Sequence, residues 1–197
     1  MLKRITILLT VLLGAFCATA QEKGLRYEDA LNFRMINNGF DLAVKTTPFT
    51  RLPDVLKDSL VTDCWRRSLN STGLGFRFAT DSKAVAVRYE LMSGNHMNHM
   101  VDTGIKGCDL YTLTKDGWRY VNPLRPGEGL HQEKVFVKNL DGQMHEYMIY
   151  LPLYDGVTKM EIGVDQEASL IQPQVDSPKA SRGKVVFYGT SIMQGGC

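Results

Sequence analysis

Cysteine is scarce in this 197-residue sequence, with four in all, at Cys17, Cys64, Cys108 and Cys197. That excludes the disulfide framework that staples small exported domains. Charge of either sign is equally unremarkable. Without Lys3 and Arg4, which stand in a leader described below, the 23 basic residues fall to 21 and match the 21 acidic ones. No Lys/Arg cluster interrupts this neutrality, so a nucleic-acid partner, which needs a basic face, is excluded. Long hydrophobic runs are missing too. The one extended apolar stretch, Ile5 to Cys17, falls short of the roughly 20 residues that span a bilayer. No internal repeat is visible.

That stretch follows the basic pair Lys3-Arg4 and precedes Ala18-Thr19-Ala20, a small-residue triplet. The order reads as a signal peptide over residues 1–20, cleaved after Ala20. The expectation is therefore a secreted or periplasmic protein with no membrane span. Cys17 raises a lipoprotein alternative, against which stands the bulky Phe16 before it. Cys64 and Cys108 are open to two readings, a disulfide pair or two small buried apolar residues.

From Arg26 to about Asp165 the dominant period is two, the signature of half-buried strands. Leu74, Phe76 and Phe78 alternate with Gly75, Arg77 and Ala79, and Val85, Val87, Tyr89 and Leu91 with Ala86, Arg88 and Glu90. The intervening Thr80-Asp81-Ser82-Lys83 predicts a hairpin. A second hairpin is expected around Lys115-Asp116-Gly117. A third sets Lys134–Lys138 against His145–Leu151 around Asp141-Gly142, where glycine supplies a positive φ. Residues 54–69 are ambiguous: Val55, Leu56 and Leu60 suit a helical turn, while Asp63 to Arg66 suit a cap or a strand start. Short strands between Gly, Asp and Pro turns predict a mainly β protein, a jelly-roll-like β-sandwich over residues 21–170.

Beyond it the composition becomes polar and proline-bearing, which predicts a linker at 171–183. Lys184-Val185-Val186-Phe187-Tyr188 is then an apolar run of the kind buried on both faces of a parallel sheet. The segment 184–197 thus reads as the first strand and turn of an α/β domain. Gly189-Thr190-Ser191-Ile192 would present a hydroxyl at the carboxyl end of that strand, where open α/β sheets place their sites. Backbone N–H groups at a helix start would there face a developing oxyanion. Taken alone, Gly-x-Ser is equally a polar helix cap.

Context separates these readings. Tyr188-Gly189-Thr190-Ser191-Ile192 with Gln194-Gly195-Gly196 resembles the first conserved block of the SGNH, or GDSL-type, hydrolases. Gly107-Cys108-Asp109-Leu110-Tyr111 is similar to the Gly-x-Asp-Leu-Tyr signature of the domain that precedes the hydrolase in one branch of that superfamily. Cys64-Trp65 through Asp81, and Tyr147 to Gly156 with its Tyr-Leu-Pro-Leu-Tyr-Asp-Gly core, resemble the same branch. The resemblance implies a serine esterase with Ser191 as nucleophile, the Ser191 backbone N–H as an oxyanion donor, and no cofactor. It also implies an Asp-x-x-His pair, which this sequence lacks, so the chain is expected to be truncated after the nucleophile block and inactive by itself. Its partners would be a small ester or acylated glycan and its own hydrolase domain; the carbohydrate follows only from the family and from export.

His96, His99, His131 and His145 all fall in the β domain. Asn95-His96-Met97-Asn98-His99-Met100 offers soft ligands for copper, yet a third ligand at useful spacing is absent and no metal is expected. The loop from Ser93 to Gly107 is expected near the emergence of Ser191, with His99 and Asp109 as residues of the cleft wall. The competing reading of Asp109 is an acceptor that anchors a turn. Trp65, Trp118 and Tyr111 are either core residues or a sugar-stacking platform. The β domain itself is thus open to two non-catalytic readings, a glycan-holding module or a structural partner of the hydrolase.

Overall fold

The computed structural model describes residues 24–173, 185–187 and 189–196. The expected signal peptide, most of the linker, Lys184, Tyr188 and Cys197 lie outside the described residues. Ten strands run in chain order: β1 (Leu25–Asp29), β2 (Arg34–Ile36), β3 (Gly75–Thr80), β4 (Val85–Leu91), β5 (Asp109–Thr114), β6 (Gly117–Pro123), β7 (His131–Val137), β8 (His145–Tyr150), β9 (Val157–Asp165) and β10 (Leu170–Ile171). Short helices α1 (Thr62–Ser68), α2 (Asp102–Lys106) and α3 (Ser191–Gln194) lie between or after them.

The strands form two antiparallel sheets. One has the order β1-β9-β4-β7; the other has β10-β3-β8-β5-β6, with β2 also on β3. The alternation seen in the sequence explains why they close on one another. Val85, Val87, Tyr89 and Leu91 of β4 and Met160, Ile162 and Val164 of β9 face Phe76, Phe78, Leu110 and Ile149 of the other sheet, all buried. Each such side chain contributes about 1.5–3 kcal/mol by leaving water. Phe78 stacks on Tyr147 with centroids 5.7 Å apart, and Phe33 tilts against Phe78 at 6.3 Å. The mainly β, jelly-roll-like sandwich is therefore the architecture.

Two of the three expected hairpins are not hairpins. β3 and β4 belong to different sheets, and so do β7 and β8. Residues 80–84 do turn the chain, but they carry it across the sandwich: the Lys83 N–H donates to Asp165 Oδ2 at 2.8 Å and the Thr80 hydroxyl to the Ser169 carbonyl at 2.6 Å. The Leu140 N–H then donates to the Lys83 carbonyl at 3.0 Å, which packs the second crossing onto the first. Only β5 and β6 pair as a hairpin, with Thr114 opposite Gly117.

Other expectations also change. Asp63 to Arg66 lie within α1 and Asp54–Ser59 form a 3-10 helix, on which Val55 points to solvent. Cys64 and Cys108 are both free thiols, Cys64 exposed and Cys108 buried, so they do not pair. Burial pushes the Cys108 thiol well above its usual range. Val185, Val186 and Phe187 read as the first strand of an α/β sheet that has no partner strand within this chain. They are exposed and pair with no strand among the described residues, and such a strand is buried only by neighbours on both edges. No helix among the described residues is long and apolar enough to cross a membrane.

Candidate active site

The long connections gather at the end of the sandwich where β3 and β5 begin and β8 ends. Their hub is Leu151-Pro152-Leu153-Tyr154-Asp155-Gly156, between β8 and β9. Asp155 is fully buried. Its carboxylate accepts from the backbone N–H groups of Ser93 at 3.0 Å, Asn95 at 2.8 Å and Gly156 at 2.8 Å. Buried polar groups persist only when hydrogen-bonded in this way. The Tyr154 carbonyl accepts from Asn95 Nδ2 at 2.7 Å, and the Tyr154 N–H donates to the Ile105 carbonyl at 2.8 Å. The loop from Ser93 to Gly107 is thus suspended from Tyr154 and Asp155.

The same hub holds the serine turn. α3 is one turn long, closed by the Gln194 N–H to the Thr190 carbonyl at 3.1 Å. Gln194 is its buried residue, and its Nε2 donates to the Leu153 carbonyl at 2.8 Å. The Tyr154 hydroxyl donates to the Ser191 carbonyl at 3.3 Å, and the Gly196 N–H reaches the same oxygen at 2.8 Å. Both glycines are required by geometry. Gly195 has φ +90°, and a Cβ on Gly196 would sit 2.0 Å from the Tyr154 hydroxyl. Ser191 is exposed, and its Oγ has no hydrogen-bond partner among the described residues. Its N–H stands at the first helical position, where no intrahelical carbonyl can accept it.

His99 is exposed, with Nδ1 2.8 Å from Asn98 Oδ1. His96 Nδ1 lies 2.8 Å from Asp102 Oδ1, and that contact, with the Lys106 ammonium at 3.2 Å, holds the Asp102 carboxyl below its ordinary value. No cluster of three or more His, Cys, Asp or Glu side chains among the described residues could hold a metal ion. Asp109 does not anchor a turn: its carboxylate is exposed and meets no donor among the described residues. Partial desolvation nevertheless raises its pKa. Of the three aromatic residues, Trp65 is buried on α1, whereas Tyr111 stands on β5 and Trp118 on β6. Asp155, Tyr154 and Gln194 were not assigned roles from the sequence. The signal was present, since all three stand in the Tyr-Leu-Pro-Leu-Tyr-Asp-Gly and Gln-Gly-Gly runs quoted above.

A sandwich whose loop end grips a Thr-Ser-Ile-Met-Gln turn defines an accessory β domain joined to a serine-bearing segment. Residues 25–170 match the family described as GxDLY: N-terminus of Esterase_SGNH_hydro-type, and the chain belongs to that family. Among solved structures, it is similar to a protein from Bacteroides ovatus ATCC 8483 assigned as a GDSL-like lipase. The TM-score is 0.70 at 25% identity, covering 76% of this chain and 43% of that one. The salicylyl-acyltransferase SsfX3 of a tetracycline biosynthetic pathway shares the fold, with a TM-score of 0.50 at 16% identity over 81% of this chain and 42% of that one. The chain therefore spans under half the length of either structure. No curated protein matches it.

Proposed function

We propose that this chain is the accessory domain and nucleophile turn of an exported serine ester hydrolase. The family membership supports the reaction class. The observation that carries the role of Ser191 is the grip of Tyr154 and Gln194 on a turn whose serine is itself left exposed. A hydroxyl held by backbone clamps and free of other bonds is available to a substrate. Ser191 Oγ attacks the acyl carbonyl and gives its proton to a histidine base. The Ser191 N–H donates to the tetrahedral oxyanion, the alcohol leaves with the proton, and water later releases the acid. The family pattern assigns that base to an Asp-x-x-His pair. The loop bearing His99, and Asp109 at the start of β5, form the sandwich side of the cleft. The substrate is a small ester or an acylated glycan, and export after cleavage at Ala20 would bring the enzyme to it.

The test uses the whole protein and a chromogenic acetyl ester. Ser191→Ala is expected to lower kcat/KM by at least about a thousandfold, with an unchanged thermal midpoint because the side chain is exposed. Wild-type turnover in that variant would return Ser191 to the role of a helix cap. The 197-residue chain alone is expected to show no serine-dependent turnover, since no base lies within hydrogen-bond reach of Ser191 Oγ among the described residues.

A further inference from the structure

The outer face of the six-stranded sheet carries a group of side chains that neither the core nor the serine turn uses. Asp109 stands opposite Tyr150 in the β5–β8 register, and Tyr111 stands opposite Tyr120 in the β5–β6 register. Cross-strand partners project from the same side of a sheet, as do residues two apart on one strand. All four side chains therefore share one face, while Leu110 and Ile149, pointing the other way, are fully buried in the core. Tyr111 meets Tyr120 edge-on at 5.4 Å and 73°, and Tyr150 at 5.7 Å and 88°. Edge contacts fix the rings without stacking them. Tyr120 remains 53% exposed.

The polar atoms of this group are unmatched. The three phenol hydroxyls and the Asp109 carboxylate have no hydrogen-bond partner among the described residues. Burial first, and then the Asp109 charge, push the Tyr111 and Tyr120 phenols up, so both stay protonated across the ordinary pH range. The outer face of the other sheet is made differently, with Arg88 on Glu161, His131 on Glu90 and the Tyr27 hydroxyl on Glu133. On the tyrosine face Arg77 is likewise paired with Glu146, but Asp109 and the three phenols beside it are left open.

We propose that Asp109, Tyr111, Tyr120 and Tyr150 form a saccharide-binding platform. A pyranose ring presents a C–H face that packs on an exposed tyrosine ring, and at its rim several hydroxyls that donate to a carboxylate and accept from phenols. Few polar groups placed among aromatic rings are the usual composition of a small-ligand site. A protein partner fits less well, because covering this face with apolar side chains would strand the Asp109 charge without a donor. A sugar supplies donors in number.

The platform lies at the end of the sheet that also holds the serine turn. Tyr150 is three residues before Leu153, whose carbonyl binds Gln194; three residues of chain reach about 10 Å at most. The proposed hydrolase reading enters only here, in that a sugar bound on the platform would carry its acyl group toward Ser191.

The purified 197-residue chain, applied to an array of neutral and acidic glycans, is expected to retain a defined subset. Titration calorimetry with the best of these should show affinity about tenfold weaker for both Tyr120→Ala and Asp109→Asn, and unchanged for Glu133→Ala on the opposite sheet. Circular dichroism checks that each variant is folded. No retained glycan, or retained glycans whose affinity is indifferent to Tyr120→Ala and Asp109→Asn, overturns the proposal, and a face reserved for another protein surface would give that result. Binding is read without ester hydrolysis, so its failure leaves the role of Ser191 untouched, and failure of the Ser191 test leaves the platform untouched.

Discussion

The two outer faces of this sandwich share a backbone plan and differ in how their polar groups are satisfied. On the four-stranded sheet the Arg88 fork grips Glu161 at 2.6 and 3.0 Å, Lys159 approaches the same carboxylate at 3.3 Å, and the Arg88 guanidinium lies 4.3 Å over the Tyr27 ring. The hydrogen bond from Arg88 holds the Glu161 carboxyl low. Desolvation and Glu133 push the Tyr27 phenol up to about 12. This face satisfies itself and needs only water. On the six-stranded sheet Arg77 pairs with Glu146 and lies over the Trp118 ring, but beside them the Asp109 carboxylate and the phenols of Tyr111, Tyr120 and Tyr150 have no hydrogen-bond partner among the described residues. Charges locked to one another stabilise a surface, whereas unmatched donors and acceptors leave it ready for a ligand.

Four substitutions probe that contrast, from the largest expected effect to the smallest. Phe78→Ala removes a fully buried ring between the sheets and should cost about 3–5 kcal/mol by chemical denaturation. Both faces should melt together, and separate transitions would mean that the sheets are independent units. Asp155→Ala strips an acceptor from three backbone N–H groups and should cost about 2–4 kcal/mol, with hydrogen exchange speeding up at Ser93 and Asn95. Unchanged exchange there would break the link between hub and loop. Glu161→Gln should cost on the order of 1 kcal/mol or less, because the pair is partly open to solvent. Its folded pKa lies below the unfolded value near 4.5. The stabilisation is thus present above that value and lost as pH falls through the folded one, so variant and wild type should converge in acid. Asp109→Asn should act in the opposite sense. The raised folded pKa makes the ionised carboxylate a small burden, complete only above that pKa. The variant should therefore unfold at a slightly higher temperature at neutral pH and match wild type below the ordinary Asp range near 3.8. A lower midpoint at neutral pH would mean that Asp109 has a stabilising partner after all.

The sequence made the strands legible and left their partners obscure. Alternation identifies which residues of β3 and β4 face the core, because burial acts on each strand separately. It says nothing of whether a turn returns the chain to the same sheet or carries it across. Thr80-Asp81-Ser82-Lys83 looks like a hairpin loop until Asp165 and Ser169, far along the chain, are seen to hold it. Lys115-Asp116 gave the right pairing since its bonds are local: the Thr114 hydroxyl donates to the Gly117 carbonyl at 2.8 Å. Ser191 could be singled out because a short motif carries its chemistry. Gln194 and Tyr154 could not be assigned their part, since a glutamine reaching a carbonyl on a separate loop leaves no periodic trace. Asp109 was weighed as a turn anchor because its neighbours are buried; that its side of β5 faces outward follows only from the β5–β8 register.

The pairing of β1 with β9, and of β3 with β10, also orders events during synthesis. Leu25 finds its place beside Asp165, and Thr80 beside Leu170. A ribosome that has released only the first hundred residues has made strands of both sheets and completed neither. Contacts so distant along the chain are slow to form and leave apolar strands uncovered in the meantime. Closure of the sandwich waits for β10, which pairs with the end of β3 remote from the serine turn, so the six-stranded sheet is completed only shortly before Gln194 itself emerges.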